Sequence, residues 1–253
     1  MNPIALITGA TSGIGKATAL LLAKHHYHLI ITGRRKERLE QVADEIRDNY
    51  PVSVLPLSFD VRDFESVQQQ LSQLPKEWQN IAVLVNNAGL AVGADSIDHG
   101  EIDDWNRMID TNVKGLLHVS KMIIPGMKSR KSGHIINIGS IAGKEVYQNG
   151  NVYCATKHAV DALSKAMRID LLPYHIRVTN IAPGMIETEF SVVRYKGDKE
   201  KAAEVYKNMH PLLAEDIAEI ILFAIERPPH VTLNDIVVMP TAQANTSHTL
   251  RED

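Results

Sequence analysis

Short runs of apolar, often β-branched residues alternate along the chain with longer stretches whose apolar positions recur at helical spacing. Strand-like runs at 4–8, 28–32 and 53–57 are each followed by a helix-like segment, at 17–25, 36–47 and 65–74. That βαβαβ rhythm continues with IAVLV at 81–85 and HIINI at 134–138, which are almost wholly apolar, as strands become when helices cover both faces of a parallel sheet. Residues 103–128 are expected to form one or two helices, 153–172 a long helix and 177–181 a strand. A further helix fits 216–226, and a last strand lies near 235–239. The pattern predicts an α/β, doubly wound Rossmann-type parallel sheet with helices on both faces, in a single domain spanning 1–253. Two segments break the rhythm: 184–213, expected to be a substrate lid with helical pieces, and a polar C-terminal tail at 240–253.

Composition narrows the partners. The 253 residues carry 27 Lys and Arg against 30 Asp and Glu, a net charge of −3, so no basic field is available to grip a nucleic acid. The longest apolar runs, such as 81–85 and 220–225, fall far short of the ~20 residues that span a bilayer, which excludes a helical membrane anchor within the sequence read. Cys154 is the single cysteine, so a disulfide framework and a Cys-rich zinc site are excluded. No basic and long apolar leader follows Met1, and the cytoplasm is the expected location. Eleven histidines include no HExxH pattern, and no metal is expected.

Candidate chemistry gathers at the ends of the strands. TGATSGIG at 8–15 places Gly9, Gly13 and Gly15 in a strand-to-helix turn, where missing side chains let backbone N–H groups approach a pyrophosphate. The second strand ends in Gly33-Arg34-Arg35 with no carboxylate to meet ribose hydroxyls. Two arginines opening a helix oppose its dipole by about 0.3–1 kcal/mol each, a cost that a bound 2′-phosphate reverses. This favours NADP over NAD; the alternative is a solvated basic turn. Asp60 fits either an acceptor for the adenine amino group or a helix cap, and Asn86-Asn87-Ala88-Gly89 either a cofactor wall or a plain turn.

Tyr153 and Lys157 stand at i,i+4 near the start of a helix, on one face. At ~4 Å and an effective dielectric of ~20, the ammonium favours phenolate by ~4 kcal/mol and brings the phenol from a pKa near 10 toward neutrality. Ser140 follows the HIINIGS strand at the same sheet edge, where its hydroxyl can polarise a carbonyl. Asn112, in DTNVKG, is a helix kink or part of a proton path. Cys154 points about 100° away from Tyr153 on a helix and is expected to pack rather than react.

In order and spacing, TGATSGIG, NNAG, Asn112, Ser140, YCATK and Pro183-Gly184 resemble the short-chain dehydrogenase/reductase family over essentially the whole chain. The resemblance implies a catalytic tetrad of Asn112, Ser140, Tyr153 and Lys157. Tyr153 exchanges the substrate proton, Ser140 steadies its oxygen, Lys157 lowers the Tyr153 pKa and binds the nicotinamide ribose, and Asn112 holds a relay water. It also implies a cofactor wall of Gly9, Thr11, Ser12, Gly13, Ile14, Gly15, Arg34, Arg35, Asp60, Val61, Asn87, Ala88, Gly89, Tyr153, Lys157, Pro183, Gly184, Ile186 and Thr188. TGRRKERL at 32–39, GHIINIGSIAG at 133–143, TEFSVVRYKGD at 188–198 and the PPHVTLNDIVVMPTAQ tail at 228–243 resemble the NADP-dependent 3-hydroxy acid branch, which includes serine and L-allo-threonine dehydrogenases and malonic semialdehyde reductases. PGMIETEF at 183–190 is shorter than the PGL(V)GGTEF form of some members, a departure that bears on substrate preference.

A small 3-hydroxy or 3-oxo acid is thus the expected substrate, with Ser140, Tyr153 and Arg194 around it. Arg194 is placed to pair the carboxylate bidentately, or else is a surface or interface residue. The alternatives are a broader reductase of uncharged ketones and aldehydes, or an NADP-binding sensor without turnover. Family likeness implies a homotetramer built through the helices of 112–128 and 153–172, with the tail reaching a neighbour.

Overall fold

The computed structural model describes residues 2–252. Among them, seven parallel strands form one sheet in the order β3-β2-β1-β4-β5-β6-β7. The strands are β1 (Ile4–Thr8), β2 (His28–Gly33), β3 (Val54–Ser58), β4 (Ile81–Asn86), β5 (Gly133–Ile138), β6 (Ile176–Pro183) and β7 (Asp235–Val238). The chain winds outward from β1 to β3, then crosses back to set β4 against the other side of β1. Connections leave β1 and β4 in opposite directions, so a crevice opens beyond their carboxyl ends.

Strand alternation divides the core between two helical layers. Ala5, Ile7, Leu29, Ile31, Val83 and Val85 pack under α1 (Gly13–Lys24), α2 (Lys36–Asn49) and α9 (Ala214–Ile225). Ile4, Leu6, Ile30, Ile81 and Leu84 face α3 (Phe64–Ser72), α5 (Leu116–Arg130) and α6 (Asn151–Leu171). Neighbours in sequence serve opposite layers, which is why these strands read as continuous apolar runs. Leu6, Ile30, Leu84 and Ile135, from adjacent strands, are fully buried, and truncating one to alanine costs about 2–5 kcal/mol.

The helical stretch expected over 103–128 is interrupted. A π-helical turn, Asp110–Gly115, separates α4 (Ile102–Ile109) from α5. Asn112 sits inside it, and its side chain accepts from Leu90 N (2.8 Å) and donates to Leu90 O (2.8 Å) and Thr156 Oγ1 (3.0 Å). The wider turn aims this amide sideways at a loop backbone. Residues 187–211 leave the sheet and return to it at one point, closed by Glu187 N to Leu212 O (2.9 Å) and Leu212 N to Met185 O (3.0 Å). This excursion contains α7 (Glu189–Arg194) and α8 (Lys199–Glu204).

The tail folds onto its own chain. Gln243 accepts from Met185 N (2.8 Å), Arg251 donates to the carbonyl oxygens of Val205 and Lys207, and Glu252 N donates to Asn208 O (2.8 Å). It thereby straps the segment after α8. No helix of the described residues is long and apolar enough to cross a membrane.

Candidate active site

The turn between β1 and α1 is built around close approaches. Gly9 and Gly13 adopt φ of +68° and +52°, in the left-handed region that glycine enters without strain. At Gly15 a Cβ would lie 2.4 Å from Gly9 O and 2.5 Å from Asn87 Nδ2, so this glycine lets α1 start directly against the turn. Asn87 Nδ2 donates to Thr8 O (2.8 Å) and Gly9 O (3.2 Å), while Thr8 Oγ1 accepts from Asn87 N and Ala88 N, both at 3.0 Å. The end of β4 is thus tied to the glycine turn. Asn86 points the other way and donates to Ser120 Oγ (3.0 Å) and Asn137 Oδ1 (2.9 Å) in the core. The Asn pair is therefore more than a turn.

Beyond these strand ends lies a cleft of about 510 Å³. It is lined by Gly9, Thr11, Ser12, Gly13, Ile14, Arg34, Arg35, Asp60, Val61, Asn87, Ala88 and Gly89 along one side. Ser140, Tyr153, Lys157, Pro183, Gly184, Ile186, Thr188 and Arg194 line the other. One expected wall residue, Gly15, and one expected tetrad residue, Asn112, do not line it. Gly15 serves helix packing as described, and Asn112, 3% exposed, has both amide hydrogens engaged by Leu90 and Thr156. The irregular helix expected at Asn112 is the π turn of Asp110–Gly115.

At the rim, Arg35 Nη2 donates to Thr11 Oγ1 (2.8 Å) and Ser12 Oγ (3.0 Å), bridging the start of α2 to the glycine turn. Arg34 lies 3.7 Å from Asp60. Asp60 does not cap α3, a task done by Asp63, which accepts from Ser66 N (3.2 Å). Its carboxylate takes a fork of hydrogen bonds from Arg62 Nε and Nη2 (2.7–3.1 Å), which holds the acid below its ordinary range despite partial burial. The end of β2 itself carries no carboxylate, and the acid at this edge, Glu189, arrives from α7 to lie 3.1 Å from Arg35. The residues fit a dinucleotide phosphate: glycine backbone at the turn, guanidinium groups at the rim, and a cradle at Gly89, where a Cβ would come 3.3 Å from Asn112 Oδ1 and 3.6 Å from Lys157 Nζ.

Tyr153 and Lys157, one helical turn apart on α6, both line the cleft. Lys157 Nζ donates to Ile138 O (2.8 Å) and lies 5.9 Å from the centre of the Tyr153 ring. Burial lowers the lysine to about 8. Burial also raises the phenol above its ordinary value, helped by Tyr147, while a hydrogen bond with Ser140 and the charge of Arg194 pull it down without reversing the shift. Desolvation of the phenolate thus opposes the fall toward neutrality that neighbouring positive charge favours. Ser140 Oγ accepts from Ala142 N (3.1 Å) and donates to Pro183 O across a long 3.5 Å, a bond weak enough to be exchanged for another oxygen. Arg194 Nη1 donates to Tyr147 Oη (2.8 Å), and its Nε is buried without a partner among the described residues.

The sequence model of the short chain dehydrogenase family matches residues 3–199. The chain belongs to that family. It is 47% identical over 248 residues to an NADP-dependent 3-hydroxy acid dehydrogenase of Schizosaccharomyces pombe, covering 98% of this chain and 96% of the relative. A protein of the same name from Escherichia coli K12 is 44% identical over 242 residues, 95% and 96% of the two chains. Among solved structures, the closed form of a serine dehydrogenase complexed with NADP+ superposes with a TM-score of 0.93 at 42% identity, covering 99% of this chain and all of that one.

In this short-chain dehydrogenase, several cleft residues carry no signal in the sequence. Tyr147 precedes α6 in a loop of no fixed period, yet its hydroxyl orients Arg194. Phe190 packs at a 60° tilt against the Tyr153 ring, centre to centre 5.6 Å, and shields it. Tyr206 donates to Ile186 O (2.5 Å) and accepts from Ser191 Oγ (2.6 Å), pinning α7 over the cleft.

Proposed function

We propose that the protein is an NADP-dependent oxidoreductase that interconverts small 3-hydroxy acids, L-allo-threonine, L-serine and 3-hydroxypropanoate among them, with their 3-oxo acids. The observation that carries the substrate class is Arg194. Its guanidinium lines the cleft near Tyr153, is oriented by Tyr147, and keeps a buried Nε without a partner. A carboxylate supplies the missing acceptor and balances the charge. The names of the relatives and the NADP+ complex of the serine dehydrogenase support the same reading.

The backbone of the Gly9–Gly13 turn with Thr11, Ser12 and Ile14 would hold the pyrophosphate, and Arg34 and Arg35 the 2′-phosphate. Asp60 and Val61 would flank the adenine, Asn87, Ala88, Gly89 and Lys157 the ribose, and Pro183, Gly184, Ile186 and Thr188 the nicotinamide end. When bound, the nicotinamide supplies or accepts the hydride. Tyr153 holds its proton at neutral pH because burial raises its pKa, so it is a ready acid for a 3-oxo substrate. Ser140 turns its hydroxyl hydrogen from Pro183 O to the same substrate oxygen. Lys157, still largely protonated at pH 7 with a pKa of about 8, keeps positive charge near the phenol for the opposite direction. Asn112 acts as a positioning residue that fixes the Leu90 loop. Residues 184–213 serve as the lid.

Following reduced-cofactor absorbance tests this reading, with NADP or NAD against L-allo-threonine, L-serine, 3-hydroxypropanoate, 3-hydroxyisobutyrate and a neutral secondary alcohol. Turnover confined to NADP and the carboxylates is expected. Equal turnover of the neutral alcohol would favour a broader reductase, and binding without turnover a sensor. Assembly as a homotetramer through α5 and α6 belongs to the same reading, supported by Leu117 and Ile169, 39% and 74% exposed on those helices; a monomeric mass by light scattering would refute it.

A further inference from the structure

Glu189 opens α7 on the wall of the cleft, and its carboxylate faces two guanidinium groups contributed by the start of α2. Oε2 lies 3.1 Å from Arg35 Nη1, and Arg38 Nη1 donates to Oε1 (2.9 Å) and Oε2 (3.1 Å). Arg35 simultaneously holds Thr11 and Ser12, so one guanidinium joins the glycine turn, α2 and the 187–211 excursion. The three side chains are 44–50% exposed, and ion pairs this open to water exchange readily. A single carboxylate charge leaves two guanidinium groups with net positive charge. A phosphate monoester brings nearly two charges and three acceptor oxygens to the same donors.

We propose that Glu189 is a resident competitor for the cofactor's 2′-phosphate, occupying Arg35 and Arg38 in the free protein and holding α7 against α2 until the phosphate displaces it. This rests on the NADP reading of the cleft. Two consequences follow from linkage: Glu189 weakens binding of NADPH but not of NADH, and arrival of the phosphate frees α7 to move. Arg38, which does not line the cleft, becomes part of cofactor discrimination.

Glu189→Gln removes the charge and keeps the shape. Fluorescence titration of the purified full chain with NADPH and with NADH, alongside hydrogen exchange of residues 189–194 in the free protein, reads both consequences. The variant should bind NADPH roughly three- to tenfold tighter, with NADH affinity held within about twofold, and α7 amides should exchange faster. Arg38→Gln gives a second reading in which the latch loosens from the other side: faster exchange in α7 and roughly three- to tenfold weaker NADPH binding. Unchanged or weaker NADPH binding in Glu189→Gln, with wild-type preference for NADPH intact, overturns the competitor and spares the cofactor reading. A wild-type chain that binds NADH as tightly as NADPH overturns both.

Discussion

Replacing Arg194 by alanine separates recognition of the substrate carboxylate from the chemistry beside it. The buried, unpartnered Nε and the neighbouring Nη2 offer two charge-assisted hydrogen bonds, while Nη1 is committed to Tyr147 at 2.8 Å. Such bonds contribute about 1.5–3 kcal/mol each, and removing one partner of a desolvated charge pair costs about 2–5 kcal/mol. At about 1.4 kcal/mol per decade, kcat/KM for 3-hydroxypropanoate should fall roughly 30- to several-thousand-fold, chiefly through KM, because the carboxylate is held alike before and during reaction. A neutral secondary alcohol makes no such contact, and its kcat/KM should stay within about threefold. The assay is initial-rate kinetics on both substrates with both proteins. Thermal melts accompany it, since Tyr147 loses a partner and about 1 kcal/mol of stability goes with it. Equal losses on the acid and the alcohol would refute the carboxylate site.

Tyr153→Phe should reduce turnover by about 10²–10⁴-fold while NADPH titration shows unchanged affinity. Because burial raises the Tyr153 pKa, reduction rates should stay flat through neutral pH while oxidation rates climb as pH rises, and a profile with the opposite slopes would contradict the assigned acid. Gly15→Ala forces a Cβ to within 2.4 Å of Gly9 O, so dinucleotide affinity should fall and the melting temperature with it, by about 1–3 kcal/mol of stability; an unperturbed melt would show that the turn yields easily. His134, buried with Nε2 on Thr179 Oγ1 at 2.8 Å, has its pKa lowered to about 3 by burial and by the charge of Arg177. Its folded value lies below the unfolded value near 6.5, so stability is intact above that pH and lost as pH falls. Denaturant titrations should show about 2 kcal/mol of this loss between pH 6.5 and 5, absent in His134→Gln; an equal loss in the variant would place the effect elsewhere.

The sequence alone determined what neighbours along the chain decide. Continuous apolar runs such as IAVLV located strands buried on both faces, and glycines at the end of β1 marked the turn, because strand pleat, helix pitch and backbone freedom are local properties. Order along the chain also placed Ser140, Tyr153 and Lys157 at one sheet edge, since parallel strands all end on the same side. What tertiary structure alone decided is how charges meet across the cleft. Glu189 reaches Arg35 and Arg38 from more than 150 positions away, and Tyr147 meets Arg194 across 47. The same holds for the titration of Tyr153 and Lys157 and for Asn112. A spacing of four residues says that two side chains share a face, but the carbonyl of Ile138, the loss of water around the phenol and the π turn that points Asn112 at Leu90 come from elements packed from elsewhere. Desolvation and cross-cleft pairing depend on three-dimensional distance and on what excludes water, and neither quantity is written in the local pattern.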